Sequence, residues 1–557
     1  MACSKLFSGD LPELINKIVQ YFHYDYKTLH SCILVNRLWC RLTIPLLWED
    51  PFSIKLPKNY YFINIYLYNL SDDDKIKLNE YGINDDLFSS NTTLFNYPSF
   101  IQNLDTYKLS SSIRNWIENS TNRTQAQNPT NSMQNTNLSP SQTSDFTKLI
   151  YKSLFLVLIK SEVNLDSFKV TIFTDEDHKN FSDIFELILQ KPNFINHIKN
   201  LSIVIDNIIN VNITEFLIFI YSNCYSISSF YFIYPYEYNY ITTEKSLSQI
   251  IDSQRYLKKI TIGYNKYPLY HSLLSLKNPN CLNTLNTIIF YHINFYDIVI
   301  LNEVFNQLNV LESIHIIYCY SLDSKFVQQI INITKPFKLK SLFLKDIESL
   351  EPLIQKFGDY IENFEVKNNK SQQLLQSLKP IIKYCNNIKF LSLNFERNYQ
   401  IIILAFNLIE NIKQNLNYLS IDITTFFFSN FDSSAFVLQN LGQVLPFKLE
   451  YLNLGLAING NDLEVFLKNS QDTFIKKFLI KNKNKPKNNG IFHYIKEYIL
   501  KKRRTKYLAI LESPNEDLFS LKDKVKECEL YDIQVLNYKD LRINTKNFLK
   551  ENFELIM

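Results

Sequence analysis

At 557 residues the chain is longer than one compact core fills, so several domains or one stacked repeat array are expected. Hydrophobic residues make up 46% and charged residues 20%, the balance of a folded chain rather than a disordered one. A net charge of only +4 gives no case for a nucleic-acid or membrane partner.

The amino end lacks the apolar core of a signal peptide, and no run of about eighteen apolar residues occurs, so a cytoplasmic or nuclear protein is expected. Glycine supplies only 8 residues, which leaves asparagine as the expected occupant of left-handed turns. The 8 cysteines are scattered without the short spacing of zinc or redox motifs and read as reduced, mostly buried thiols. His30, Cys32 and Cys40 fit core packing better than a metal site, because one turn of helix cannot aim them together with a fourth ligand.

From Leu11 the apolar residues Leu14, Ile15, Ile18, Val19 and Phe22 follow the spacing of one helix face. Asp10 with Glu13 forms a capping pair, and Pro12 suits the first turn. Asp25 caps a second short helix carrying Leu29, Cys32 and Ile33, and a third runs from Asn36 to about Ile44, where Pro45 is expected to stop it. Trp39, Leu42, Leu47 and Trp48 add more apolar surface than about forty residues can hide alone.

Three blocks, Leu11-Pro12-Glu13-Leu14-Ile15, Leu34-Val35-Asn36-Arg37-Leu38-Trp39 and Pro45-Leu46-Leu47-Trp48, resemble the F-box in order and spacing. The family often carries Cys where Asn36 stands. The resemblance implies a three-helix F-box over residues 8–50 that binds the Skp-type adaptor, and through it the cullin, of an SCF ubiquitin ligase. It places Leu11, Pro12, Leu14, Ile15, Ile18, Val19, Leu29, Leu34, Trp39, Leu47 and Trp48 in that docking module. The alternative is that these helices simply cap a repeat array.

Residues 51–117 read as a connecting helical region with no clustered His, Cys or acid pair. Residues 118–147, nearly all Asn, Ser, Thr, Gln and Pro, read as a disordered linker. From 148 to 557 one pattern dominates, apolar-x-x-apolar-x-apolar, which recurs from Phe168 to Phe478 at intervals of 22 to 33 residues. Its middle residues are Phe168, Leu201, Phe230, Ile260, Ile288, Ile314, Leu342, Phe364, Leu391, Leu419, Leu452 and Phe478. Leu508/Ile510 and Val525/Cys528/Leu530 read as degraded terminal copies.

Amphipathic stretches such as Ser371 to Tyr384 fall between copies, and this strand-then-helix unit resembles the leucine-rich repeat. The expected fold class is therefore α/β, an N-terminal three-helix F-box followed by an irregular leucine-rich-repeat solenoid, or horseshoe. Parallel strands in such an array expose their in-between residues on a concave face, and Tyr231, Tyr291, His315, Phe343, Lys345 and Lys367 are the candidate contacts for a substrate protein.

The basic stretch 476–506 reads as a charged inter-repeat loop rather than an import signal. No Gly-x-Gly, phosphate loop, His-Glu-x-x-His or Gly-x-Ser-x-Gly occurs, so neither catalysis nor a cofactor is expected. The leading expectation is a substrate-recognition adaptor; a ubiquitin-independent repeat scaffold is the other.

Overall fold

A computed structural model describes residues 12–543 except 24, 55–59, 80–92, 123–139, 206–212, 234–239, 264–268, 346–349, 369–370, 425–432, 485–489 and 514–515. The chain divides into two compact units, residues 1–264 with 271–285, and residues 265–270 with 286–557.

The first unit opens with three helices, α1 (Pro12–Tyr21), α2 (Tyr26–Cys32) and α3 (Arg37–Leu47). Asp25 caps α2 by accepting the Thr28 N–H at 3.1 Å. Asn36 caps α3, its Oδ1 accepting the N–H groups of Leu38 at 2.9 Å and Trp39 at 3.0 Å. Pro45 does not stop α3, which continues to Leu47. Its ring costs one backbone bond near the helix end, where the bond partner Arg41 is exposed to water.

Ile15, Val19, Leu29, Cys32 and Trp39 form the buried core of these helices, with Ile18, Phe22, Leu38, Leu42, Leu46 and Leu47 packed around it. Glu49 ties the helices to the next element. Its carboxylate meets His23 Nε2 at 2.7 Å and accepts from Asn103 Nδ2 at 2.9 Å. The Trp48 ring lies 4.4 Å from that of Tyr97 and 5.6 Å from that of Tyr66.

Residues 51–117 hold the helices α4 (Phe62–Leu67) and α5 (Asp72–Asn79), then a strand β1 (Asn103–Asp105) and the start of α6 (Thr106–Asn122). The purely connecting role expected for 51–117 is thus corrected, since β1 pairs in parallel with β2 (Ser167–Ile172), Leu104 opposite Phe168. The segment already contains a strand of the array. The third apolar position of this copy is Thr106, which accepts the Thr171 N–H at 3.0 Å, and a polar residue there hides the copy from an apolar pattern.

The linker expected over 118–147 is corrected at both ends. Residues 118–122 close α6, residues 140–147 open α7 (Pro140–Lys160) with Phe146 buried, and 123–139 lie outside the described residues.

Strands β2, β3 (Asn200–Ile205), β4 (Ser229–Ile233) and β5 (Lys259–Gly263) pair in parallel in chain order. Leu104, Phe168, Leu201, Phe230 and Ile260 stand in one buried column, so each copy of the repeat hides its apolar residues against the next. Gln254, fully buried, pins two copies together. It accepts the Ile227 N–H at 2.9 Å and donates to the Cys224 carbonyl at 2.8 Å.

The second unit repeats the plan with β6 (Thr287–Tyr291), β7 (Ser313–Ile317), β8 (Lys338–Leu344), β9 (Asn363–Asn368), β10 (Phe390–Glu396), β11 (Tyr418–Thr424), β12 (Lys448–Leu456), β13 (Phe474–Asn482) and β14 (Tyr507–Ser513). All pair in parallel with their chain neighbours, and Leu342, Phe364, Leu391, Leu419, Leu452, Phe478 and Leu508 share one column. In β7, Ile316 rather than Ile314 joins this column, because the ladder shifts between Ile314 and His315. A bulge absorbs the mismatch between apolar residues three apart on β8 and two apart on β7.

The last expected copy is corrected as well. Val525 and Cys528 lie in a helix, Lys522–Glu529, and the closing parallel strand is β16 (Gln534–Val535), after a short antiparallel β15 (Glu516–Asp517).

Asparagine does not take the left-handed turns. Among the described residues, Glu162, His292, Asp297, Tyr318, Ser321, Arg503 and Asp532 have positive φ, and none is Asn. Asn278, Asn398, Asn459 and Asn537 instead cap helices. Others bond between copies, with Asn411 Nδ2 donating to the Ile382 carbonyl at 3.2 Å, Asn415 to Asn386 at 3.0 Å and Asn469 to Gln439 at 3.0 Å.

The loop expected for the basic stretch is corrected where it is described, 485–489 lying outside the described residues. The stretch contributes β13, a helix Phe492–Ile495 and the wider turn Lys496–Leu500, and among the described residues Lys476, Lys483, Lys496 and Lys501 are in ion pairs. Lys476 meets Glu450 at 2.8 Å, Lys501 meets Glu497 at 2.5 Å, and Arg504 is buried.

Candidate functional site

Two surfaces answer to the residues singled out in the sequence. At the N-terminal helices the docking candidates separate into two sets. Ile15, Val19, Leu29 and Trp39 are buried and hold the helices together, so a contact role for them is corrected to a packing role. Ile18 and Leu47 are partly buried against the same core, and Trp48 is half-buried against aromatic rings. Pro12 is exposed, as are Leu14 at 47%, Val35 at 48% and Leu34 at 76%. Leu11 lies outside the described residues. The turn before α3 therefore carries two bare aliphatic side chains that its own core does not use.

The second surface is the in-between face of the strands. Here the aromatic candidates are corrected, because Tyr231, Tyr291, His315 and Phe343 are all buried. Alternation gives the side of the sheet but not what covers it, and parallel neighbours stand about 4.8 Å apart, close enough for rings to cover one another. Phe343 stacks on Phe390 at 5.7 Å, with the Tyr318 ring 5.9 Å away. Tyr291 meets the His292 ring at 4.6 Å. His315 Nδ1 sits 2.8 Å from Ser341 Oγ. Tyr231 lies between Ser202 and Thr261 of the adjoining strands. Lys345 is exposed and Lys367 partly so, and they alone among the candidates reach solvent.

Phe343, Glu365, Ser392, Ser420, Asn453, Leu479 and Ala509 form one column of this face. Its centre is polar and internally bonded, with Ser392 Oγ donating to Glu365 Oε1 at 3.1 Å and Asn453 Nδ2 to Ser420 Oγ at 3.0 Å. At its far end Tyr538, which follows β16, packs with Tyr451, Leu479 and Ala509 and donates its hydroxyl to Asn453 Oδ1 at 2.9 Å. The chain's own later segment thus covers that end. Beside the column, Lys483 pairs with Asp422 and also reaches the Ile423 carbonyl at 2.6 Å.

Sequence reasoning missed His292, Tyr318 and Tyr320, which follow β6 and β7 and fall outside the strand alternation. The signal available was an aromatic or His two to four residues past the last core position in two successive copies, Phe290-Tyr291-His292 and Ile316-Ile317-Tyr318-Cys319-Tyr320.

Among the described residues no group of three or more His, Cys, Asp or Glu can hold a metal ion, and no helix is long and apolar enough to cross a membrane. Burial pushes the thiols of Cys224, Cys319 and Cys385 up to about 12 and those of Cys281 and Cys528 to about 11, so they are poor nucleophiles.

These thiols stay protonated in the folded state while ionising near 9.0 when exposed, so the unfolded state binds fewer protons between those values. Stability is then expected to be unaffected by them below pH about 9 and to fall as pH rises towards about 12. Urea titrations of the native chain and of Cys224→Ala and Cys385→Ala variants check this. The variants should lose less stability than the native chain on going from pH about 8 to about 10.5.

No model of a known protein family matches the chain, and no curated protein matches it.

Proposed function

We propose that the chain is the substrate-recognition subunit of an SCF-type ubiquitin ligase, with an F-box in α1–α3 docking onto a Skp-type adaptor and a leucine-rich-repeat solenoid holding a substrate protein. The observation that carries this reading is the exposure of Leu14, Leu34 and Val35 on a helical module whose core is already formed by Ile15, Val19, Leu29, Cys32 and Trp39. Such side chains lose their contact with water when another protein covers them, at roughly 25 cal/mol per Å² of apolar area.

The module and the strand–helix copies together support an adaptor that does no chemistry itself. It raises the effective concentration of substrate lysines near a ubiquitin thioester carried by other subunits. On this reading the protein works in the cytoplasm or nucleus and requires no cofactor.

The test is a double substitution, Leu14→Asp with Leu34→Asp, in the full chain. Both side chains are exposed, so circular dichroism and Tm should remain those of the native protein. Co-purification of a Skp-type adaptor and a cullin from cells should fall more than about tenfold, the effect of burying an unpaired carboxylate in an apolar contact. Undiminished co-purification would overturn the assignment. A native chain that brings down no cullin would leave only a ubiquitin-independent scaffold.

A further inference from the structure

The ends of β6 to β9 gather five polar or aromatic side chains from successive copies of the second unit. His292 follows β6, Tyr318 and Tyr320 follow β7, Lys345 follows β8, and Lys367 lies near the end of β9. Leu344 stands opposite Val366 in the ladder, so Lys345 and Lys367, each one residue further, are neighbours of like charge. Like charges in facing positions destabilise a sheet unless something between them is negative.

Their surroundings are built rather than casual. Lys367 Nζ lies 4.3 Å from the centre of the Tyr318 ring and donates to the Tyr318 hydroxyl. Lys345 Nζ lies 6.0 Å from the centre of the Tyr320 ring. His292 Nδ1 is 3.0 Å from Tyr320 Oη, and its ring lies 5.3 Å from that of Tyr318. His292 and Tyr318 both hold left-handed backbone, with φ of 54° and 52°, a conformation that costs a bulky residue energy and recurs at ligand sites. The two turns are held in matching positions by the His292 N–H bond to the Ile317 carbonyl at 2.9 Å and the Tyr318 N–H bond to the Phe343 carbonyl at 2.7 Å.

Among the described residues the carboxylate within reach is Glu365, 3.3 Å from Lys367 Nζ, and it also accepts from Ser392. Among the described residues one carboxylate stands against two ammonium groups, a positive excess at a spot lined with further donors. Burial, then the charges of Lys345 and Lys367, hold the His292 imidazole down to about 4, so the ring is neutral there in the absence of an anion.

We infer that the His292, Tyr318, Tyr320, Lys345 and Lys367 cluster is a binding site for a phosphoryl group. Lys345 and Lys367 supply charge, while the tyrosine hydroxyls and the imidazole supply directed donors, a set suited to the several oxygens of a dianion. The group can arrive on a phosphorylated side chain of a partner protein or as a free phosphate compound. That a partner presents it rests on the substrate-holding role proposed for the repeats, whereas the site itself does not depend on the N-terminal docking module.

The experiment titrates the full chain with inorganic phosphate to roughly 20 mM, a range that detects millimolar binding, while the His292 ring resonances are followed by NMR and assigned with His292→Gln. Saturable binding is expected, with the His292 pKa raised by about one unit as the bound anion stabilises the imidazolium beside Lys345, Lys367 and Glu365. Lys345→Gln, at an exposed position, should keep the fold and weaken binding about tenfold, the loss of one charge-assisted hydrogen bond. Acetate should not compete.

A His292 titration unmoved by phosphate, binding indifferent to Lys345→Gln, or equal binding of acetate would each overturn the inference. A phosphoserine peptide binding more tightly than inorganic phosphate places the source on a protein, and the reverse places it on a free compound. The Leu14→Asp/Leu34→Asp chain should bind phosphate as the native chain does, so failure of the docking reading and failure of this one are separable.

Discussion

Phe343→Ala is expected to cost the second unit about 3–5 kcal/mol, the usual range for deleting a large aromatic ring from a packed interior. The ring is fully buried, stacked on Phe390 at an interplanar angle of 24° and bordered by Tyr318. Its backbone neighbours across the ladder are Ile317 and Glu365. Removing it opens a void between strands whose backbones cannot close in, since their spacing is fixed by the hydrogen-bond ladder. Phe343→Leu keeps most of the volume and should cost less than about 1.5 kcal/mol. Urea denaturation of both variants separates packing from recognition. A Phe343→Ala chain of native stability that fails to bind its partner would restore the ring to the interaction surface.

Arg504→Ala is the second large effect, expected to cost on the order of 3 kcal/mol through carbonyl groups left buried without donors. The guanidinium is 6% exposed and faces the end of the helix Gly460–Asn469 and the turn after it. Nη1 donates to the Leu467 carbonyl at 3.1 Å, Nε and Nη2 donate to the Thr473 carbonyl at 3.3 and 3.2 Å, and Nη2 also reaches the Ser470 carbonyl. A cation placed there also meets the negative end of the helix dipole. Burial lowers the pKa of this group, but arginine starts so high that it stays charged. Arg504→Lys retains the charge without the planar fork and should recover only part of the loss. Thermal unfolding of both variants decides. Equal stability of Arg504→Ala and the native chain would mean that water replaces the fork.

The strands were legible because each copy needs three apolar residues in a fixed frame. Phe168, Leu201, Phe230 and Ile260 in the first unit, and Leu342 through Phe478 in the second, stand in columns as their spacing implied. Where a polar residue entered that frame, as at Thr106, the copy vanished from view although its strand forms. Where helix and strand periodicities overlap over a short run, as at Val525/Cys528/Leu530, the pattern suited either, and only the neighbouring β16 shows which was chosen.

The candidate surface was less legible. Alternation correctly set Phe343 and His315 apart from the Leu342 column, but their burial depends on neighbours that are remote in sequence, such as Phe390 and Ser341. The cluster around His292 lay beyond the strands altogether, in turns whose left-handed backbone no glycine announces. At the amino end the helices and their caps followed from Asp25 and Asn36, whereas the division between buried Ile15 and bare Leu34 required the packed module.

Within each unit the strands as far as β15 each lie against the one that precedes them in the chain, and the closing β16 lies beside β14, one strand earlier. A polypeptide emerging from the ribosome therefore always finds its docking platform already made, and no layer must wait for a distant segment still to be translated. Synthesis itself becomes a template-guided assembly, advancing one layer for every thirty or so residues added.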